Sequence, residues 1–416
     1  MRKLVTIRNI DEILPHPNAD KLELAMIGGW QCIVKKDEYK PGDMIVFFEI
    51  DSLLPIKPEF EFLRQYSYVK KDWLKSELNP EGEGFRLRTI KLRGSISQGL
   101  IITPPENFAE LYWSLNDEQF SEFCELDHSE FFGVIKYDPP ENGLSCRMGG
   151  QPRGSFPHFI RKTDQERVQN ISFKQFEETH RLAETFEVTQ KMDGSSLTCF
   201  YLHENSKFAD EKYNGLGVCS RNVYLKLDIP EEEQSQFIKS VYEHNLNVAI
   251  ELTAKELGID IAVQGELVGE GIQDNLHNIK GHEIHVFDIF DISNQKYFLP
   301  DERMFIFEIL KRNGFTGHHV NVIIGDHPIS WFWLDLEFRD PDTWVDDLNV
   351  IKRLNQIKSG ELTPTTEILS HIRNRILKMA EFDLLHDKPN EGLVFKSTQR
   401  EFSFKAVSNE YLIYRG

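Results

Sequence analysis

Residues 139–157 place four prolines and four glycines within one short stretch, and this constrains the fold more than any other feature. Proline removes a backbone donor and fixes φ, while glycine raises the entropic cost of regular structure. Neither a helix nor a strand is expected to run through it. The 416 residues are therefore expected to fold as separate units, each long enough for its own core. The boundaries read as a first domain over 1–130, a linker over 131–160 and a second domain over 161–416.

The first part is rich in short strand signals. Gln31–Lys35, Met44–Asp51, Arg86–Arg93 and Gly99–Thr103 are strand candidates, and Lys40-Pro41-Gly42-Asp43 is a turn between two of them. About five such strands suit a small barrel of the OB type, and equally a sandwich. The second part alternates strands and helices. A largely helical stretch runs from Gln236 to Leu257 and stops at Gly258. Strands are expected at Ile259–Val268, Ile284–Ile292, Val394–Lys396 and Phe402–Val407. Thr363 and Pro364 open a helix whose buried stripe is Ile368, Ile372, Ile376 and Met379. The fold class is α+β, a barrel followed by antiparallel sheets flanked by helices.

The net charge of −19 argues against general affinity for nucleic acid, which is largely phosphate neutralisation. Its distribution is uneven. Residues 1–103 hold 16 basic against 15 acidic side chains, and the remainder holds 32 against 52. Arg86, Arg88, Lys91 and Arg93 crowd into one basic stretch, so any contact with a phosphate backbone is expected to be local and salt-sensitive. Five widely spaced cysteines with no Cys-x-x-Cys motif indicate neither a disulfide framework nor a zinc site. A reducing cytoplasm is the expected location. No apolar run reaches membrane-spanning length, so no membrane partner is expected.

The chemistry centres on Lys191-Met192-Asp193-Gly194. A lysine with a carboxylate two positions on and a glycine to turn the backbone suits nucleophilic attack on a nucleotide phosphate. Such a lysine must first be neutral, and its reference pKa of about 10.4 leaves roughly 0.1% unprotonated near neutral pH. Burial and nearby cations lower that value. A divalent cation, Mg²⁺ or Mn²⁺, also neutralises charge building on the phosphate, and its waters suit carboxylate support. Further elements follow in order. Ser220-Arg221-Asn222 comes after the lysine loop, and Gly265-Glu266-Leu267 lies near the end of a strand. Phe287-Asp288 offers an aromatic ring and a carboxylate on opposite faces of a strand. Glu391-Gly392 opens a strand that ends in Lys396, and Lys405 lies between Phe404 and Ala406.

This order resembles the covalent nucleotidyltransferase superfamily of ligases and RNA capping enzymes. Within it the chain is similar to ATP-dependent RNA ligases of the RNA ligase 5 type, found in Naegleria and Deinococcus. Ile13–Leu24, Lys40–Asp43 and Phe48–Pro55 resemble that family's N-terminal OB domain. Phe156-Pro157 and Lys162–Gln169 resemble the entry to its catalytic domain. Residues 104–150 and 300–385 carry little of the likeness.

The resemblance implies that Lys191 accepts AMP from ATP, Glu266 contacts the ribose and Phe287 stacks on adenine. Asp193 and Glu391 would hold the metal's waters, and Lys405 would touch the α-phosphate. Gly194 and Lys396 belong to the nucleotide-binding motifs. Arg221 would serve the 5′-phosphate or the adenylate-transfer step, and Lys162 and Arg167 the β,γ-phosphates. The implied partner is RNA, as a nicked duplex or broken ends, with DNA in part of the substrate left open, and a role in RNA repair. A monomer is expected.

Two departures stand out. Ser403 occupies the place of a first motif lysine, for which Arg400 or Lys396 could substitute. Ser196 stands where some RNA ligases carry an asparagine. Rival readings are a DNA ligase, a capping guanylyltransferase, or an inactive OB-domain nucleic-acid binder. The first two usually place an OB domain after the last nucleotide-binding lysine, whereas the OB-like region here precedes the catalytic motifs.

Overall fold

A computed structural model describes residues 2–139, 150–172, 184–328, 366–384 and 387–415, with Gln175 and Glu178. The chain divides into two compact units, Met1–Pro140 with Leu412–Gly416, and Glu141–Tyr411.

In the first unit, Met44–Phe48 pairs antiparallel with both Val5–Asn9 and Leu100–Ile102. Being central and covered on both faces, it is apolar without alternation. Ile45 and Phe47 enter a core with Trp30, Ile27 and Val34. Val46 and Phe48 enter a second core with Phe60, Phe85, Phe108 and Phe132. A sheet of Glu12–Pro15, Leu22–Ile27 and Trp30–Lys35 curls round the first core. The hairpin Thr89–Leu92 and Ser95–Gln98 joins it through Ile33 N–H donating to Ser97 Oγ at 3.0 Å.

The basic stretch does not form one strand edge. Arg86 ends the strand Glu83–Arg86 in a different sheet, its guanidinium 4.5 Å from the centre of the Tyr137 ring. Lys91 lies on the hairpin, and Arg93 occupies its turn with φ of 50°. Residues beyond 104, which carried no sequence signal, complete the second core. Helices Glu106–Ala109, Asp117–Cys124 and Ser129–Phe132 gather Phe108, Tyr112, Phe123 and His128 into one aromatic cluster. Asn116 and Gln119 form a reciprocal cap on the longest of them.

Both described ends of the expected linker are ordered. Ile135-Lys136 pairs with Ser52–Leu54, and Pro152–Ser155 pairs with Val223–Leu225. Proline and glycine are tolerated there because each short strand lies at a sheet edge, where a missing donor faces outward. Residues 140–149, between them, lie outside the described residues.

Among the described residues, the second unit holds two main sheets and the short antiparallel pair Asp383–Leu384 with Lys388–Pro389. The larger runs in the order 152–155, 223–225, 215–219, 195–202, 261–269, 282–291 and 296–297, with 318–319 also pairing to 282–291. Helices Gln236–Glu243, Leu246–Leu257 and Pro300–Arg312 contribute Ile238, Val241, Ile250 and Leu310 to its core. The largely helical stretch expected over 236–257 forms two helices, interrupted at Asn245 with φ of 54°, and Gly258 caps the second with φ of 67°.

The smaller sheet runs 166–167, 403–407, 392–397, 185–191 and 322–328. Helix Thr366–Met379 covers it with Ile372 and Ile376 buried and Met379 partly buried. The Ile368 side chain, Thr363 and Pro364 lie outside the described residues. Arg373, absent from the expected stripe, is 4% exposed and donates to the Ile171 carbonyl. Among the described residues, no helix is long and apolar enough to cross a membrane.

Candidate active site

Lys191 ends the strand Thr185–Lys191 and pairs with Gly392 at the start of Gly392–Ser397. That register sets Glu391 beside it, and the Lys191 ammonium donates to Glu391 Oε1 at 2.6 Å. The chain then crosses to Ser195–Leu202 in the other sheet, where Ser196 lies opposite Glu266. Gly194 makes the crossing possible through close packing; its φ is not positive. A Cβ there would lie 2.5 Å from the Leu267 carbonyl oxygen and 2.8 Å from Glu266 Cγ. The expected backbone turn is thus a close approach of Gly194 to the strand that carries Glu266 and Leu267.

Lys191, Asp193, Glu266 and Glu391 therefore converge from two sheets. Their charges are unbalanced. Burial pulls the Lys191 ammonium down, but Glu391, Glu266 and Asp193 outweigh it and hold the group above the usual lysine range. Burial raises the Glu266 carboxyl to about 8, with Lys191 opposing and Glu391 and Asp193 adding to the shift. Three carboxylates facing one ammonium suit a divalent cation as the missing positive charge. Among the described residues, no three His, Cys, Asp or Glu side chains converge closely enough to bind one ion directly. Asp193 and Glu391 fit instead as acceptors for the ion's waters.

Phe287 lies beside this pocket with Met192, Val268, Ile279 and Val320. Its strand pairs Gln264 with Asp288 but Gly265 with Val286, so Phe287 is the extra residue of a β-bulge. Bulges re-aim a side chain and take a residue out of the ladder. The Phe287 carbonyl accepts a hydrogen bond from Lys396 Nζ, and the same ammonium lies 2.6 Å from Asp288 Oδ1.

Lys396 is 7% exposed. Burial lowers it to about 8, with Asp288 opposing and Arg303 adding to the fall. The ion network continues inward, where Arg303 donates to Glu187 and, at 3.2 Å, to His319 Nε2. Burial, reinforced by Arg303, lowers His319 to about 4. Lys396, expected among the nucleotide contacts, is instead a buried support for the bulge. Nor does Arg400 replace the missing motif lysine: it forms a two-pronged pair with buried Glu184 at 2.8 and 2.9 Å.

The remaining cations gather at a rim. Lys405 is paired in register with Arg167. Its ammonium lies 3.8 Å from Asp164, which is also 3.5 Å from Arg221. Lys162 donates to Asn222 Oδ1 at 2.5 Å. Arg221 is half exposed, whereas Arg167 is buried. Asp164, not singled out from sequence, links Lys405 and Arg221. Its place directly between Thr163 and Gln165, in a segment already rich in charge, gave no distinguishing signal.

The RNA ligase family profile matches residues 184–407, and an OB-fold domain profile matches residues 4–104. A search of curated protein sequences gave no match. Solved structures of Naegleria gruberi RNA ligase resemble the whole chain. A variant with AMP and Mn is 32% identical, with a TM-score of 0.71, and the match covers 99% of this chain and 98% of that one. An apo variant is 33% identical at the same TM-score, covering 99% and 97%. The ligase with pyrophosphate is 33% identical with a TM-score of 0.70, covering 99% and 98%. The fold is therefore an OB-fold domain followed by a ligase domain of sheets and helices. The chain belongs to the RNA ligase family.

Proposed function

We propose that this ATP-dependent RNA ligase seals RNA 3′-OH and 5′-phosphate ends in RNA repair, in the cytoplasm and as a monomer, in three steps through a lysyl-AMP and an adenylylated RNA 5′ end. The observation that carries this reading is the convergence of Lys191 with Asp193, Glu266 and Glu391 beside Phe287.

In the first step Lys191 Nζ bonds to the α-phosphorus of ATP while the bond to the β-phosphate oxygen breaks and pyrophosphate leaves. The amine must first lose a proton, and Glu391 Oε1 is the acceptor already bonded to it. Phe287 offers a stacking face for adenine, and Glu266 approaches the ribose. Lys405 stands at the rim for the α-phosphate and Arg221 for the RNA 5′-phosphate, both held by Asp164. Asp193 and Glu391 would hold the waters of a divalent cation, which would supply charge neutralisation at the phosphate. In the second step a 5′-phosphate oxygen attacks the same phosphorus and frees Lys191. In the third a 3′-OH attacks the activated 5′-phosphate, forms the phosphodiester and releases AMP.

The OB domain supplies RNA contact, because a barrel docks nucleic acid without touching ATP. Nick sealing on all-RNA duplexes, and on duplexes with DNA in either strand, tests the reading. Deleting residues 1–140 is expected to abolish sealing while labelling of the protein by α-labelled ATP persists. Sealing that survives the deletion contradicts the role of the barrel. Labelling by GTP but not ATP points to a capping enzyme, and no labelling of the intact protein points to a non-catalytic binder.

A further inference from the structure

A residue outside the motifs reaches the lysine pocket. Tyr411 is 8% exposed, and its hydroxyl donates to Asp193 Oδ1 at 2.8 Å across 218 positions of sequence. Asp193 itself is 5% exposed. A phenol on a buried carboxylate is a strong, directional contact that fixes which way the carboxylate points.

The approach of Tyr411 is fixed in turn. Ser408 caps the helix Asn409–Arg415 by accepting the Tyr411 N–H on its Oγ at 3.1 Å. Its own hydroxyl donates to Glu381 Oε2 at 2.7 Å, and Glu381 Oε1 accepts the Asn409 N–H at 2.6 Å. The Ser408 N–H donates to the Glu391 carbonyl at 3.0 Å. One cap therefore holds the backbone of Glu391 and, one helical turn on, the carboxylate of Asp193.

We propose that Tyr411 is a positioning residue for metal-dependent adenylylation, orienting Asp193 toward the waters of the divalent cation, with Ser408 and Glu381 fixing its approach. This rests on the reading of Asp193 as a support for that cation. Groups that orient a metal's supports typically alter metal affinity by about 10- to 100-fold when removed.

The test uses Tyr411→Phe, which keeps the ring and its packing and removes only the hydroxyl. Manganese binding is read without catalysis, from the electron paramagnetic resonance signal of free Mn²⁺ titrated into the full-length Lys191→Met protein with AMP. Tyr411→Phe is expected to weaken Mn²⁺ binding about 10-fold. In the Lys191-containing protein it raises the metal concentration that half-saturates lysyl-AMP formation and leaves the KM for ATP unchanged. Glu381→Gln, which loosens the cap, shifts the same quantity in the same direction by less. In an Asp193→Asn background Tyr411→Phe adds nothing. Wild-type Mn²⁺ binding by Tyr411→Phe, alongside weakened binding by Asp193→Asn, overturns the proposal alone. Wild-type binding by Asp193→Asn overturns the reading of Asp193 and the proposal with it.

Discussion

Lys191 and Lys396 sit at opposite ends of one pair of neighbouring strands, Lys191 opposite Gly392 and Lys396 opposite Glu187. Their surroundings differ in kind. Lys396 is almost wholly buried and lies 2.6 Å from Asp288, with Arg303 and Glu187 completing the network. Lys191 is 26% exposed and faces an excess of carboxylates. Burial drives the first below the usual lysine range, while Glu391, Glu266 and Asp193 overcome burial to keep the second above it.

A lowered lysine pKa is often taken as the mark of a nucleophile. Here it marks the structural lysine. The lysine proposed as the nucleophile is instead held protonated by its carboxylates. A divalent cation brought in with the nucleotide would lower its pKa, which couples its activation to metal occupancy of the site.

Removing each lysine sharpens the contrast. Lys396→Met strips the cation from buried Asp288 and the donor from the Phe287 carbonyl. Breaking a buried pair costs about 3–5 kcal/mol, and the lower end is expected because Arg303 stays 3.8 Å from Asp288. Chemical denaturation of the ligand-free protein checks this, and an unchanged midpoint contradicts it. Lys191→Met is expected to abolish the adenylyl adduct with a smaller loss of stability.

A weaker effect concerns Glu266. Its folded pKa of about 8 lies above the ordinary carboxyl value, so between about pH 4.5 and 8 the folded state holds a proton that the unfolded state has lost. Stability from this group therefore falls as pH rises through that window. Glu266→Gln removes the dependence. Its melting temperature relative to wild type is expected to rise by a few degrees from pH 5 to pH 9. A constant difference across that range contradicts a Glu266 carboxyl raised by burial and by its neighbouring carboxylates.

The parts legible in sequence were those whose signals are local. Lys191, Asp193, Glu266 and Glu391 stand in short motifs at strand ends, and periodicity located most strands that carry them. The role of Lys396 was hidden because it depends on Asp288 and on a bulge at Phe287, neither of which a linear pattern encodes. Gly194 read as a turn because its real constraint, the Leu267 carbonyl, comes from a distant strand. Tyr411 carried no signal, since its partner is fixed only by folding. The helices after residue 104 were missed because each is short and packs mainly through scattered aromatics.

Peptide mapping of the protein after reaction with ATP and Mn²⁺ tests the central claim most directly. The account predicts AMP on the peptide containing Lys191, and none on the peptide containing Lys396 despite its lowered pKa. An adduct on Lys396, or an undiminished adduct on the Lys191→Met protein, would contradict it.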